Sequence, residues 1–323
     1  MKKTLSNKKA AAGCIAFCCI IAFTLGGGTA FAGEGNAPSS QRMADYANVA
    51  YADQSSSQVL DIYLPEGEGP FPVITVVHGG GFAFGSQTMD IIRPVIEAGV
   101  ERGYAVVSVD YRKSGEAVFP AALADVKAAV RFIRANAGEY GFDSGHIAVW
   151  GESAGAYLAV MTALTPDVEE LDGDVTTNAG YASSVNAFVD FYGPVEFYAM
   201  DEEYAALGNK GVRFASDDSF ESRFLGQNIG KDKEFTYKTY WETYSDQFTD
   251  TDTGLAAWIQ AGDADQNVPF TESVNLAERL GSLLKEERIE FGIIEGAAHE
   301  DKLFYTEENL DDVFGFLADT MEN

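Results

Sequence analysis

The chain has 323 residues, of which 46% are apolar, enough for one large core in a single domain. It carries 50 Asp and Glu against 22 Lys and Arg, a formal charge of −28. That surplus repels polyphosphate and anionic headgroups, which excludes nucleic acid and an anionic membrane surface as partners and favours a substrate uncharged near its reacting bond.

Residues 1–32 have the layout of a cleaved export signal. Lys2, Lys3, Lys8 and Lys9 precede an apolar run from Ala10 to Leu25, and Ala30-Phe31-Ala32 supplies a small-residue cleavage site. Cleavage after Ala32 is expected, giving an exported chain that starts at Gly33. Cys14, Cys18 and Cys19 all fall in the removed segment, so the mature chain is expected to lack disulfides. Gly13-Cys14 lies ahead of the apolar run, where a lipid-attached cysteine would follow it. No later stretch reaches a spanning length, so the mature protein is expected not to insert in a membrane. Residues 33–55 read as a flexible leader, and 56–323 as the folded domain.

Val59–Leu64 is expected as an edge strand, stopped by Pro65. Apolar, β-branched runs at Pro72–Val77, Tyr104–Val109 and Ile147–Trp150 mark strands covered on both faces. Ala187–Phe191, Leu255–Gln260 and Ile289–Ile294 extend the series. Between them, apolar residues recur at helical spacing after Pro120 (Leu123, Val126, Val130, Ile133), and Ala154–Leu164, Thr271–Leu284 and Asn309–Met321 are further helices. The alternation predicts an α/β fold, a mostly parallel sheet with helices on both faces and chemistry at the carboxyl ends of its strands. Two segments, at about 166–182 and 196–250, break the rhythm with acids and aromatics and are read as cap or lid insertions.

Gly151-Glu152-Ser153-Ala154-Gly155 stands between a strand and an apolar helix. It is a G-x-S-x-G turn, whose glycines let the backbone thrust Ser153 out above the sheet. A serine hydroxyl needs a base. Of three histidines, His146 precedes a strand at its amino end and His78 precedes the serine; His299 follows the last strand at the carboxyl edge and is the expected base. Asp263 and Asp265, just past another strand, are both candidates for the acid that orients it. The N–H of Ala154 would donate to an oxyanion. Phe82 and Phe84 are candidates to line an acyl pocket, and Glu152 is a further candidate substrate contact. No clustered His/Cys spacing calls for a metal, and no cofactor is expected.

These motifs together resemble the α/β-hydrolase superfamily, close to its hormone-sensitive-lipase-like and bacterial feruloyl/acetyl esterase group. HGGGF, VSVDYR, FPAALADVKAAVRFIRANAGEYGFD, GESAG and GDADQNVP stand in family order across roughly 56–320. The resemblance implies an α/β-hydrolase fold with a lid and a carboxylesterase acting through an acyl-enzyme. Its substrates would be short acyl esters or acetyl and feruloyl esters of plant polysaccharides. It selects Asp265, the aspartate of D-x-x-V-P, as the acid, and gives Gly80 and Gly81 the oxyanion donors. His78, Asp110-Tyr111-Arg112 and Asp125 become scaffold. Glu152 and Ala156 replace the Asp and Gly of many hormone-sensitive-lipase relatives, which moves the chain toward the feruloyl/acetyl branch. A peptidase or acyltransferase would use the same residues, and a non-catalytic binding module on this fold remains an alternative.

Overall fold

The computed structural model describes residues 42–209, 213–247 and 254–321. The expected export signal, its cysteines and residues 33–41 lie outside the described residues. Eight strands form one sheet in the order β1-β2-β4-β3-β5-β6-β7-β8. Their ranges are β1 Tyr46–Ala50, β2 Val59–Tyr63, β3 Phe71–Val77, β4 Ala105–Val109, β5 Phe142–Glu152, β6 Ala187–Phe191, β7 Ala256–Gly262 and β8 Ile289–Ile294. β1 and β2 are antiparallel additions beside β4, and the other strands run parallel. Every residue of β4, β6 and β7 is buried, as the unbroken apolar runs require.

Two expectations at the amino end are corrected. Residues 46–50, read as leader, form the true edge strand, and β2 lies one place inside it. The pairing is irregular between Tyr46 and Val49, where Asn48 takes φ +54°, and Asp61 secures it by accepting the Asn48 N–H at 2.7 Å.

Helices cover both faces. α1 (Arg93–Glu101) and α9 (Glu307–Met321) close one side, with Ile96, Val100, Phe314 and Leu317 packed on Ile74, Val106 and Trp150. α2 (Ala121–Ala135), the short α3 (Ala137–Tyr140) and α4 (Ala154–Leu164) come from the crossovers on either side of β5. α4 is buried on every side, which suits its lack of a polar stripe. Past β6 the chain builds α5 (Met200–Ala206), α6 (Phe220–Leu225) and α7 (Lys233–Tyr237), and α8 (Thr271–Leu280) follows β7. Leu276 and Leu280 of α8 join the core that α4 shares with the aromatic residues of 197–244.

The segment 166–182, expected as a cap, is instead strapped to α2. Asp172 pairs with Lys127 at 2.6 Å and Arg131 at 3.2 Å, and Asp174 with Arg112 at 2.9 Å. The Lys127 and Arg131 side chains are buried, so the acids of this segment neutralise cations that have no access to water. Arg112 is held more tightly by Asp125, which also accepts the Arg112 N–H and the Gln58 amide. Removing the Asp125 charge leaves the buried Arg112 with only the exposed Asp174 carboxylate as partner. Asp125→Asn is therefore expected to lower unfolding stability by about 3–5 kcal/mol, read from urea denaturation; a loss within error of wild type would contradict this account.

Candidate active site

β3, β5, β7 and β8 all deliver their next residues to one edge, where Val77 is level with Gly151, and Gly262 with Ile294. Ser153 follows β5 directly with φ +53°, a conformation that ordinary residues avoid. Its N–H donates to Phe191 O at 2.9 Å, and its carbonyl accepts from Ala156 and Tyr157 at 2.9 and 3.2 Å. A Cβ at Gly151 would run into the Gly155 carbonyl, and one at Gly155 into the Val77 carbonyl. The two glycines of the motif thus let the turn close on itself and on β3.

Asp265 uses its two oxygens differently. Oδ1 accepts the N–H groups of Asn267 and Val268 at 2.7 and 3.0 Å, which is why the spacing D-x-x-V suits this loop. Oδ2 accepts from His299 Nδ1 at 2.7 Å. That bond places the proton on Nδ1 and leaves Nε2 to accept from the Ser153 hydroxyl, 2.9 Å away. Asp263 does not join the chain. Its carboxylate accepts the Gly296 N–H at 2.6 Å and so braces the loop that carries His299.

Gly80 and Gly81 take φ +107° and +58° in the turn after β3. Among the described residues no acceptor takes their N–H groups or that of Ala154, the first residue of α4. The turn is shaped by His78, fully buried, whose Nδ1 donates to Gly79 O at 2.7 Å and whose Nε2 lies 3.1 Å from Asp110. Burial pushes the His78 imidazole below its usual range, against the pull of Asp110. Tyr111 stacks on that ring at 4.5 Å and donates to His78 O at 3.0 Å. His146 stays apart, bonded to Asp143.

Gly80, Gly81, Ser153, Ala154 and His299 open into one cavity of about 560 Å³, a volume suited to a small organic ligand. Its other walls are Gln266–Val268, next to Asp265, and cap residues between Arg213 and Glu221. Nothing from 166–182 reaches it. The three expected substrate contacts fare differently. Phe84 is 63% exposed at the rim, edge-to-face with Phe220 of α6. Phe82 borders the cavity, but its ring is buried, stacked on Phe224 at 4.0 Å, and serves chiefly as a foundation. Glu152 is absent from the lining: it is 1% exposed and lies beneath the site, so its assignment as a substrate contact is corrected. Successive residues of a strand point to opposite sides, which sends Glu152 away from the opening. Burial pushes its carboxyl up to about 8.

Sequence reasoning missed Arg213, Phe220, Glu221 and Gln266 in the lining. Glu221 is a buried carboxyl that burial pushes up to about 7, and Arg213 bonds Tyr204 Oη and Gln266 O at 3.1 Å each. They come mostly from a cap with no legible pattern; the sole signal was the density of aromatics and acids there.

The family model described as BD-FAE matches residues 60–280. The probable carboxylic ester hydrolase LipM of Mycobacterium tuberculosis is 31% identical over 190 residues, 55% of this chain and 41% of LipM. The chain thus spans about two-fifths of the length of that curated relative. Among solved structures, a truncated form of a carbohydrate esterase from gut microbiota superposes with a TM-score of 0.75 at 25% identity, covering 90% of this chain and 100% of the other. The propionate-bound esterase Est2 of Thermogutta terrifontis follows with a TM-score of 0.60 at 27% identity, over 80% and 88%. An eight-stranded sheet of this order, a serine at its sharpest turn and a family match across most of the domain have one common reading: this is an α/β-hydrolase fold, and the chain belongs to the BD-FAE family.

Proposed function

We propose that the protein is an exported carboxylic ester hydrolase that works through a covalent acyl-serine. The observation that carries the proposal is the unbroken chain Asp265 Oδ2–His299 Nδ1 (2.7 Å), His299 Nε2–Ser153 Oγ (2.9 Å), opening on the cavity. His299 Nε2 takes the hydroxyl proton as Ser153 Oγ attacks the ester carbonyl, and Asp265 stabilises the imidazolium that forms. We assign the N–H groups of Ala154, Gly80 and Gly81, which line the same cavity as Ser153, as donors to the tetrahedral oxyanion, each worth about 3–4 kcal/mol to the transition state. The imidazolium then protonates the leaving alcohol. In the second half, His299 takes a proton from water, the hydroxide equivalent attacks the acyl carbonyl, and Ser153 leaves with the proton back on Oγ.

The substrates we favour are short acyl esters and the acetyl or feruloyl esters of plant polysaccharides. A cavity floored by glycine backbone and rimmed by Phe84 and Phe220 suits an uncharged acyl or sugar-bearing ester. Asp218, Glu221 and Glu300 line it with Arg213 as the cation, an arrangement that disfavours anionic substrates. A solved carbohydrate esterase of closely similar fold points the same way. Export rests on residues 1–32, and amino-terminal sequencing of secreted protein is expected to begin at Gly33.

A fluorophosphonate probe is expected to label wild-type protein and leave Ser153→Ala blank; an unlabelled wild type would favour a binding module over a hydrolase. Asp265→Asn, which keeps the shape but not the charge, is expected to cut kcat on nitrophenyl acetate by about 10⁴ with little change in KM. Across nitrophenyl acyl esters, acetylated xylan and methyl ferulate, cleavage of at least one class is expected; resistance of all of them while peptides are cut would replace the esterase with a peptidase.

A further inference from the structure

Glu152 is a buried carboxyl that the proposed acyl transfer does not use, and it lies one residue from the nucleophile. Neither of its oxygens has a hydrogen bond of normal geometry among the described residues. The titratable groups that face it are Tyr305, from the turn Lys302–Tyr305, Glu300, from the loop that carries His299, and Tyr192, just past β6. The turn after β3 brings Gly79 against the Glu152 carbonyl. The Tyr192 and Tyr305 hydroxyls bond each other at 2.5 Å, and the Tyr192 ring meets the His299 imidazole edge-to-face at 4.7 Å. Glu152 therefore faces a tyrosine pair that itself packs on the proposed base.

We propose that Glu152 is a positioning residue for His299 that acts through its charge: it lies beside the Tyr192–Tyr305 pair that packs on the imidazole, neutral when protonated and, when ionised, a negative charge beneath the triad. The inference rests on the hydrolase reading. Burial drives the carboxyl up, Glu300 adds to the shift, and the Tyr305 and Tyr192 hydroxyls oppose it, for a net rise to about 8. Glu152 is then neutral through neutral pH and releases its proton to solvent at mildly alkaline pH. The charge that appears stabilises the imidazolium formed when His299 accepts the serine proton, so ionisation accelerates attack by Ser153.

The test is the rate at which a fluorophosphonate phosphonylates Ser153 between pH 6 and 10, a readout that needs the triad but not the natural ester. Wild type is expected to show an ascending step near pH 8 of roughly 3–10-fold, the size of a screened charge one ring away. Glu152→Gln, nearly isosteric and unable to ionise, is expected to lose that step while still being labelled. Tyr305→Phe removes a hydroxyl that favours the ionised form and is expected to move the step to higher pH. Superimposable profiles for wild type and Glu152→Gln would overturn the proposal while leaving the hydrolase reading intact. Absence of labelling in wild type at every pH would overturn both. If thermal unfolding shows Glu152→Gln to be misfolded, the Tyr305→Phe profile decides: a step near pH 8 that stays in place overturns the proposal, and one that moves up supports it.

Discussion

At φ +53° Ser153 occupies a backbone region that costs a non-glycine residue of order 1–3 kcal/mol. The surroundings hold it there. Phe191 O takes its N–H, two amides of α4 take its carbonyl, and Gly151 and Gly155 let the flanking backbone approach within a distance that any side chain would forbid. The rest of the site is arranged around this turn. The hydroxyl stands clear of the sheet because the turn is sharp, and α4 starts at Ala154, two residues after β5 ends, which puts a free N–H one residue from the Ser153 hydroxyl. His299 and Asp265 can reach it because β7 and β8 end level with each other at the same edge of the sheet, with only β6 between β7 and β5.

The protein's acids serve two unlike purposes. Asp125, Asp172 and Asp174 neutralise Arg112, Lys127 and Arg131 in the scaffold, where each ion has a partner at 2.6–3.2 Å. Glu152, Asp190 and Glu221 are buried with no cation in hydrogen-bond contact, and burial pushes them to about 8, 7 and 7. All three sit near the carboxyl edge of the sheet or in the cap above it. The interior toward α2 is therefore electrostatically settled, whereas the interior beneath the cavity holds groups whose charge depends on pH. Those three cations and their three acids cancel, so the excess of 50 acids over 22 bases is carried by the rest of the chain.

Most of the sheet was legible because its central strands are apolar on both faces, a pattern that needs no knowledge of neighbours. β1 was not: four of its five residues are exposed, and it exists because β2 offers an edge and Asp61 a carboxylate for the Asn48 amide. α1 was missed because Arg93-Pro94 opens it and Gly99 sits inside it, and both resemble turn punctuation. At the site, Ser153, Asp265 and His299 follow from motif, order and strand ends. Phe82 does border the cavity; what the sequence hid is its stacking on Phe224, which lies in a cap segment far along the chain. Glu152 misled because its nearness to Ser153 in sequence says nothing of the strand alternation that turns it inward. The 166–182 segment looked like a lid because its acids are visible locally and the cations they meet on α2 are not.

One contact ties the cap to the site more tightly than packing alone would. The place where a Cβ of residue 81 would stand is filled by the Phe220 ring. Positions 81 and 220 are therefore not independent variables under selection or in a mutant library. Any side chain at 81 demands a smaller residue at 220, and a smaller residue at 220 leaves a hollow beside the turn. Exchange of cap segments between relatives would carry the same dependence, so a transplanted cap must bring its own match for this glycine or be redesigned at that point.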